Sequence, residues 1–169
     1  MMNAEYGMRN SRRKNGVPGT ASPSGDDIPH SSFRIPYSSE LARFALLKHA
    51  TPDGLHWDLL LETAPGTDPD EPALLAFSFS GDRPPAGAGE TATRLRDHRR
   101  RYLFFEGELD GGRGRVRRFD AGVRRLVAGT DASRALELDL HGRQLAGRFR
   151  LAPAADDPAQ ARWRLERLP

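Results

Sequence analysis

Short apolar stretches that alternate with polar residues recur along the chain from about residue 43 to its end. In 136–140, for example, Leu136, Leu138 and Leu140 are separated by polar residues. A period of two is typical of strands that bury one face. The stretches that we expect to be strands are 43–49, 56–62, 74–79, 91–95, 102–108, 113–120, 123–127, 136–140, 145–151 and 162–166.

Turn signals separate these stretches. Thr51-Pro52-Asp53-Gly54 and Asp110-Gly111-Gly112 are typical of tight turns, and residues 63–72 and 81–89 are rich in Pro and Gly. About nine or ten short strands leave little room for helix, which predicts an all-β fold. An antiparallel barrel or sandwich suits such strands, because closing or stacking a sheet protects its edges. The periodicity does not separate these two architectures.

The first part of the chain has a different composition. Residues 1–32 contain Asn, Ser, Gly, Pro and charge without an apolar period, so we expect a disordered tail. No run approaches the roughly 20 apolar residues that span a bilayer, and the N-terminus lacks the apolar region of a secretory signal. We therefore expect a cytoplasmic location and no membrane partner. The absence of cysteine excludes disulfides and thiolate metal sites.

The positive charge of the chain is almost entirely arginine. The net charge is +3, Lys14 and Lys48 are the only lysines, and the arginines concentrate in residues 94–125. The planar guanidinium suits phosphate oxygens, so this stretch favours an anionic partner. Our candidate nucleic-acid contacts are Arg94, Arg99, Arg100 and Arg101. Solvated strand faces in an arginine-rich protein are the alternative interpretation.

Two histidines and an aspartate form a candidate metal site. On a strand over 56–62, His56, Asp58 and Leu60 share one face, because side chains alternate. An imidazole and a carboxylate two residues apart can bind one divalent cation, and His49 can supply a third ligand. Such nitrogen-and-carboxylate sets suit manganese, zinc or iron better than calcium or magnesium. A hydrogen-bonded polar pair inside a barrel is the alternative.

Motifs in the same order along residues 43–168 resemble the 3′-phosphoesterase domain of bacterial DNA ligase D. The resemblance covers most of the chain, and its strength lies in the shared order, since each motif is weak alone. The motifs are Arg43-Phe44, Lys48-His49, Leu55-His56-Trp57-Asp58, Leu61-Glu62, Asp97-His98 with Tyr102, Phe105-Glu106-Gly107, Gly111-Gly112-Arg113-Gly114-Arg115-Val116, Asp120-Ala121-Gly122, Leu138-Asp139-Leu140-His141-Gly142, Leu145-Ala146-Gly147-Arg148-Phe149 and Trp163.

The resemblance implies a compact antiparallel β-barrel over about 40–168 with a site of the manganese type. The family trims 3′ ends in DNA repair, removing a 3′-phosphate or terminal ribonucleotides from a primer-template. By motif position, the metal ligands are His49, His56 and Asp58, and the catalytic contacts to the scissile phosphate are His98 and Tyr102. It also implies nucleic acid 3′ ends as partner, with any ligase or polymerase acting in trans.

The chain departs from the family pattern where phosphate is gripped. Leu60 stands where the family has an arginine, Ser78-Phe79-Ser80-Gly81 lacks the family lysine, and Glu90 aligns near a further family arginine. Two classes of function therefore stay open. One is a metal-dependent phosphoesterase with weakened activity, which we favour because the ligand set is intact. The other is a catalytically degenerate barrel that binds nucleic acid or a repair partner.

Overall fold

The computed structural model describes residues 41–129, 134–157 and 159–169. Within these residues, nine antiparallel strands and two short 3-10 turns make up the regular structure, and eight of the strands close into a barrel. The strands are β1 (Ala42–Thr51), β2 (Gly54–Glu62), β3 (Leu74–Ser80), β4 (Ala88–His98), β5 (Gly107–Glu108), β6 (Arg115–Ala128), β7 (Leu136–His141), β8 (Ala146–Pro153) and β9 (Arg162–Arg167). The all-β prediction is confirmed. The tail expected for 1–32 lies outside the described residues.

The barrel is built from two runs of consecutive hairpins. The first run is β1–β2–β3–β4 and the second is β6–β7–β8–β9. Two seams join them, one between β4 and β9 and the other between β1 and β6. Each of these eight strands therefore has two neighbours, and β5 adds a short ninth strand against β6.

Side-chain alternation divides the strands into an inner and an outer face. The inner face forms the main core, in which Trp57, Leu59 and Leu61 of β2 meet Phe149 and Trp163 from the opposite wall. A second, smaller group, which we call the outer cluster, covers the outside of the first hairpins. It consists of Ala45, Leu47, Leu60, Leu74, Ala76, Leu103 and Val116. The outer cluster exists because the connection between β4 and β6 folds back over the barrel wall.

That connection differs from the predicted strand over 102–108. It contains a 3-10 turn at Arg100–Leu103, the two-residue β5 and a second 3-10 turn at Asp110–Gly112. Its apolar side chains, Tyr102 and Phe105 among them, pack on the outer cluster instead of alternating in a sheet. None of the helical segments in the described residues is long and apolar enough to cross a membrane.

The strands predicted separately at 113–120 and 123–127 form one continuous strand, β6. A register shift between Leu46 and Leu47 of β1 marks an irregularity in its pairing with β6. Gly122 lies within β6, and no larger residue fits there, because a Cβ would overlap the carbonyl oxygen of His141 on β7. The chain thus passes along β6 where a turn was expected.

A buried carboxylate ties the connection to the barrel. Glu62, at the end of β2, is fully buried, and its carboxylate accepts hydrogen bonds from Arg43 Nη2 at 3.0 Å and Arg100 Nε at 2.8 Å. Burial raises the pKa of Glu62, but the hydrogen bonds from Arg43 and Arg100 outweigh it and hold the pKa below its usual value. The Glu62 main-chain carbonyl also accepts a hydrogen bond from Arg124 Nε at 2.7 Å.

Candidate metal centre

The β1–β2 hairpin brings the three predicted metal ligands together on the outer face of the barrel. The two-residue loop Pro52-Asp53 sets the register, so that His49 lies directly opposite His56. Asp58 follows His56 by two residues and therefore shares its face. One potential ligand atom from each of the three side chains lies within 4.8 Å of the others, which is close enough to hold one metal ion. The group does not lie inside the barrel, where the alternative interpretation placed it.

Asp58 is the centre of the hydrogen bonds in this group. Its Oδ1 is 2.8 Å from His56 Nδ1, and its Oδ2 is 3.4 Å from His49 Nδ1. Ser78 on β3 adds a hydroxyl 3.0 Å from His56 Nδ1. Asp58 is 6% exposed, so its carboxylate is shielded from water and depends on these neighbours to stay ionised.

The contacts of His49 show why a cation fits here. Its Nε2 is 2.8 Å from the carbonyl oxygen of Arg113, and a carbonyl only accepts, so Nε2 carries the proton. In neutral His49, Nδ1 then presents a lone pair toward Asp58 Oδ2. A metal ion held between these two lone-pair atoms would be attracted by both. A backbone carbonyl that holds the second ring nitrogen is typical of metal-binding histidines.

The pKa shifts agree with a cation-binding group. The hydrogen bond to Asp58 raises the pKa of His56 in spite of its partial burial. Burial raises the pKa of Asp58, but the hydrogen bond and charge of His56 outweigh it and leave the pKa below its ordinary value. Asp58 is therefore a carboxylate at neutral pH. Protons and a metal ion compete for His56, because a ligating imidazole must be neutral.

A cavity of about 460 Å³ opens beside this group, between the barrel wall and the β4–β6 connection. His49 and Asp58 line one part of it, and His98 and Tyr102 line another. The rings of His98 and Tyr102 meet edge to face with centroids 5.7 Å apart. The structure thus brings two of the three predicted metal ligands, His49 and Asp58, and both predicted catalytic residues to one cavity, and His56 adjoins it through Asp58.

One departure from the family pattern, Leu60, lies at this cavity, and another, Ser78, lies next to His56. Leu60 lines the cavity, yet the side chain is fully buried in the outer cluster. Ser78, in the segment that lacks the family lysine, contacts His56. Sequence reasoning did not select Arg96 and Arg113, which line the cavity. Both belong to the arginine-rich stretch, but no local signal in the sequence distinguishes them from its other arginines.

The four arginines predicted to contact nucleic acid do not form one surface. Arg99 is exposed, lines the cavity and lies 3.6 Å from Asp70, whereas Arg101 pairs with Asp70. Arg94 pairs with Asp97 and stacks on the ring of Phe77, 5.1 Å from its centroid.

Arg100 lies inside the protein, although the sequence suggested a contact with nucleic acid. It is 4% exposed, and its guanidinium is held by Glu62, Glu71 and the carbonyl oxygens of Ala64 and Asp68. All of its nitrogens are therefore engaged inside the protein. We assign it a structural role and leave it out of the proposed phosphate contacts.

A scan against models of known protein families finds no match, and a search of curated proteins finds no match either.

Proposed function

We propose that the protein is a metal-dependent phosphoesterase that acts on 3′ ends of nucleic acid in DNA repair, removing a 3′-phosphate or a terminal ribonucleotide. The observation that carries this proposal is a His-His-Asp group of which two members, His49 and Asp58, line one cavity with His98 and Tyr102. Imidazole nitrogens and a carboxylate oxygen suit manganese, zinc or iron, and we propose manganese among these because the family resemblance implies it. The order of the sequence motifs supplies the substrate class.

The side chains divide the chemistry between them. His49, His56 and Asp58 would hold a divalent ion, which when bound would supply charge neutralisation at a phosphate oxygen and an activated water. His98 Nδ1 donates to the Arg96 carbonyl oxygen at 2.9 Å, so Nε2 is the nitrogen left for a substrate. That nitrogen can protonate the leaving oxygen when His98 is charged. The Tyr102 hydroxyl can donate a hydrogen bond to the same phosphate.

Arginines around the cavity can replace the missing phosphate grip. Arg96, Arg99 and Arg113 line it and bring positive charge near the metal ligands. Arg113 is held by a hydrogen bond from its Nε to the Asp110 carbonyl oxygen at 2.7 Å, which orients the guanidinium. Guanidinium groups bind phosphate oxygens through paired hydrogen bonds, so these arginines support an anionic substrate.

Leu60 favours a second candidate function, a barrel that binds nucleic acid without cleaving it. A buried leucine beside the metal ligands offers phosphate neither charge nor a hydrogen bond. A charge-assisted hydrogen bond to phosphate contributes about 1.5–3 kcal/mol, and a leucine cannot supply it. Catalysis and binding therefore need separate measurements.

Cleavage of labelled primer-templates separates the two candidates. The substrates carry a 3′-phosphate or a 3′-terminal ribonucleotide, and the reactions contain Mn²⁺. We expect wild-type cleavage to fall by about 10²–10⁴-fold in His98→Ala, the usual contribution of a general acid. His141→Ala removes a histidine that lies on β7 outside the cavity and should leave the rate unchanged. Salt-dependent binding without cleavage by the wild type would support the second candidate.

Calorimetry with Mn²⁺ tests the metal ligands independently of cleavage. The wild type and His141→Ala should each show one site, and His56→Ala should abolish it, because the variant removes one of three ligands. The ligand assignment would be wrong if His56→Ala bound manganese as tightly as the wild type.

A further inference from the structure

The barrel wall formed by β2, β1 and β6 carries the metal ligands on its outer face and a different set of side chains on its other face. Lys48 precedes His49 on β1, and Arg117 follows Val116 on β6. Because side chains alternate, Lys48 and Arg117 point away from the metal centre. They lie on the side of β1 and β6 that continues into the barrel interior, where Trp57 packs.

Two like charges face each other on this side. Lys48 and Arg117 are direct partners in the β1–β6 pairing, and both are exposed. Like charges directly opposite in a sheet are destabilising. Neither residue forms an ion pair with any carboxylate in the described part of the chain. An anion bound between them would relieve the repulsion.

Aromatic rings lie on the same side of the sheet, one of them beside Lys48. Phe119 is 42% exposed although it is a large apolar side chain, and its ring meets Trp57 edge to face with centroids 5.0 Å apart. The Lys48 Nζ lies 5.6 Å from the centroid of the Trp57 ring. Phe119 falls at the register shift between β1 and β6, and irregularities of this kind re-aim side chains. The ring of Phe119 therefore offers a supported, solvent-accessible stacking surface.

We propose that Lys48, Arg117 and Phe119 form a binding surface for single-stranded nucleic acid, which we call the cationic–aromatic patch. A base stacks on Phe119, and an adjacent phosphate lies between Lys48 and Arg117. Exposed aromatic rings next to unpaired cations are the combination by which proteins bind single strands without sequence preference. A duplex hides the faces of its bases, so the patch discriminates against it.

The position of the patch narrows the substrate class of the proposed function. This inference rests on the proposed function in that the ligand is nucleic acid. Lys48 and His49 are neighbours on one strand, with side chains on opposite faces. The strand ends at Thr51, three residues and about 10 Å beyond Lys48. A single strand that leaves the patch around this end reaches the face that carries the metal ligands. The substrate class is then a 3′ end with a single-stranded segment.

Fluorescence anisotropy with a labelled oligo-dT of about 12 nucleotides tests the patch, this length being within the range of single-strand sites. Measurements in EDTA keep metal binding and cleavage out of the readout. We expect Phe119→Leu to weaken binding at least about fivefold, and Phe119→Trp to keep it near the wild-type value. Failure of primer-template cleavage leaves this result unaffected, and failure of oligo-dT binding leaves cleavage untouched.

Two charge variants complete the test. Lys48→Gln combined with Arg117→Gln should reduce the slope of log affinity against log salt by about 0.7, the contribution of the one single-strand phosphate that the two cations neutralise. Arg150→Gln together with Arg164→Gln removes the same charge from β8 and β9 and should leave the slope unchanged. Equal effects of the two double variants, equal binding of duplex and single strand, or full affinity in Phe119→Leu would each overturn the proposal.

Discussion

Replacing Glu62 with glutamine should lower the free energy of unfolding more than the loss of an exposed ion pair would. Four hydrogen bonds reach its carboxylate, three from Arg43 and one from Arg100. An amide presents a donor where one of the two carboxylate oxygens accepts, so at least two of these bonds are broken. It also leaves the buried Arg100 with less neutralising charge.

The expected loss of stability in Glu62→Gln is about 3–5 kcal/mol. Two broken charge-assisted hydrogen bonds at about 1.5–3 kcal/mol each give about 3–6 kcal/mol, and the cost of breaking a buried ion pair, about 3–5 kcal/mol, sets the upper end. For a domain of this size the loss corresponds to a fall in Tm of roughly 10–20 °C. Urea unfolding followed by circular dichroism measures the change in the free energy of unfolding.

Glu71→Gln is the matched control for Glu62→Gln. Glu71 also pairs with the guanidinium of Arg100, but its side chain is 53% exposed. Because the Glu71 carboxylate is open to water, which screens its charge, this variant should lose clearly less stability than Glu62→Gln. Equal destabilisation in the two variants, or less than about 1 kcal/mol in Glu62→Gln, would refute the argument from burial.

The effect of Glu62→Gln should also depend on pH. The pKa of Glu62 in the folded protein is below its ordinary value of 4.5, because Arg43 and Arg100 favour the ionised form more than burial opposes it. The unfolded chain therefore takes up the proton first, and the contribution to stability is complete above the ordinary pKa. It disappears as the pH falls through the folded pKa. The difference between wild type and variant should narrow there, and a constant difference would contradict this cause.

Two further variants test local features. Asp120→Ala removes the carboxylate that accepts hydrogen bonds from three main-chain N–H groups of the turn 143–145 at 2.8–2.9 Å. The free energy of unfolding, measured with urea, should fall by about 2–4 kcal/mol, and a fall of less than about 1 kcal/mol would contradict this role. Gly114→Ala places a Cβ against the Ala50 carbonyl oxygen at a φ of +93°, which displaces the preceding carbonyl from His49. It should weaken Mn²⁺ binding about 10–100-fold in calorimetry, whereas Gly112→Ala, with open space at its Cβ, should not.

The barrel strands and the candidate metal group could be predicted from the sequence because side chains alternate along a strand. A period of two puts His56 and Asp58 on one face, and a tight turn at Thr51-Pro52-Asp53-Gly54 brings His49 opposite His56. Both features are local, so the sequence contains them. The same is true of the core strands, of which β7 is the clearest case.

The β4–β6 connection could not be predicted because its partners are distant in sequence. Tyr102 and Phe105 bury against an outer cluster assembled from several strands, and their spacing alone resembled a strand. Arg100 looked like a surface charge because its counter-ion, Glu62, is 38 residues away. The position of Arg96 and Arg113 at the cavity likewise depends on how the connection folds back over the barrel.

The two-run architecture of the barrel has a consequence for the order of folding. The seams join residues far apart in the chain, as in the pairing of Ala42 with Arg124 and of Ala88 with Glu166. Long-range pairing of this kind is slow, whereas a hairpin forms in about 1–10 μs. All three metal ligands belong to the β1–β2 hairpin, so they can assemble before either seam closes. A metal ion that bound this hairpin early would therefore favour the register on which barrel closure depends.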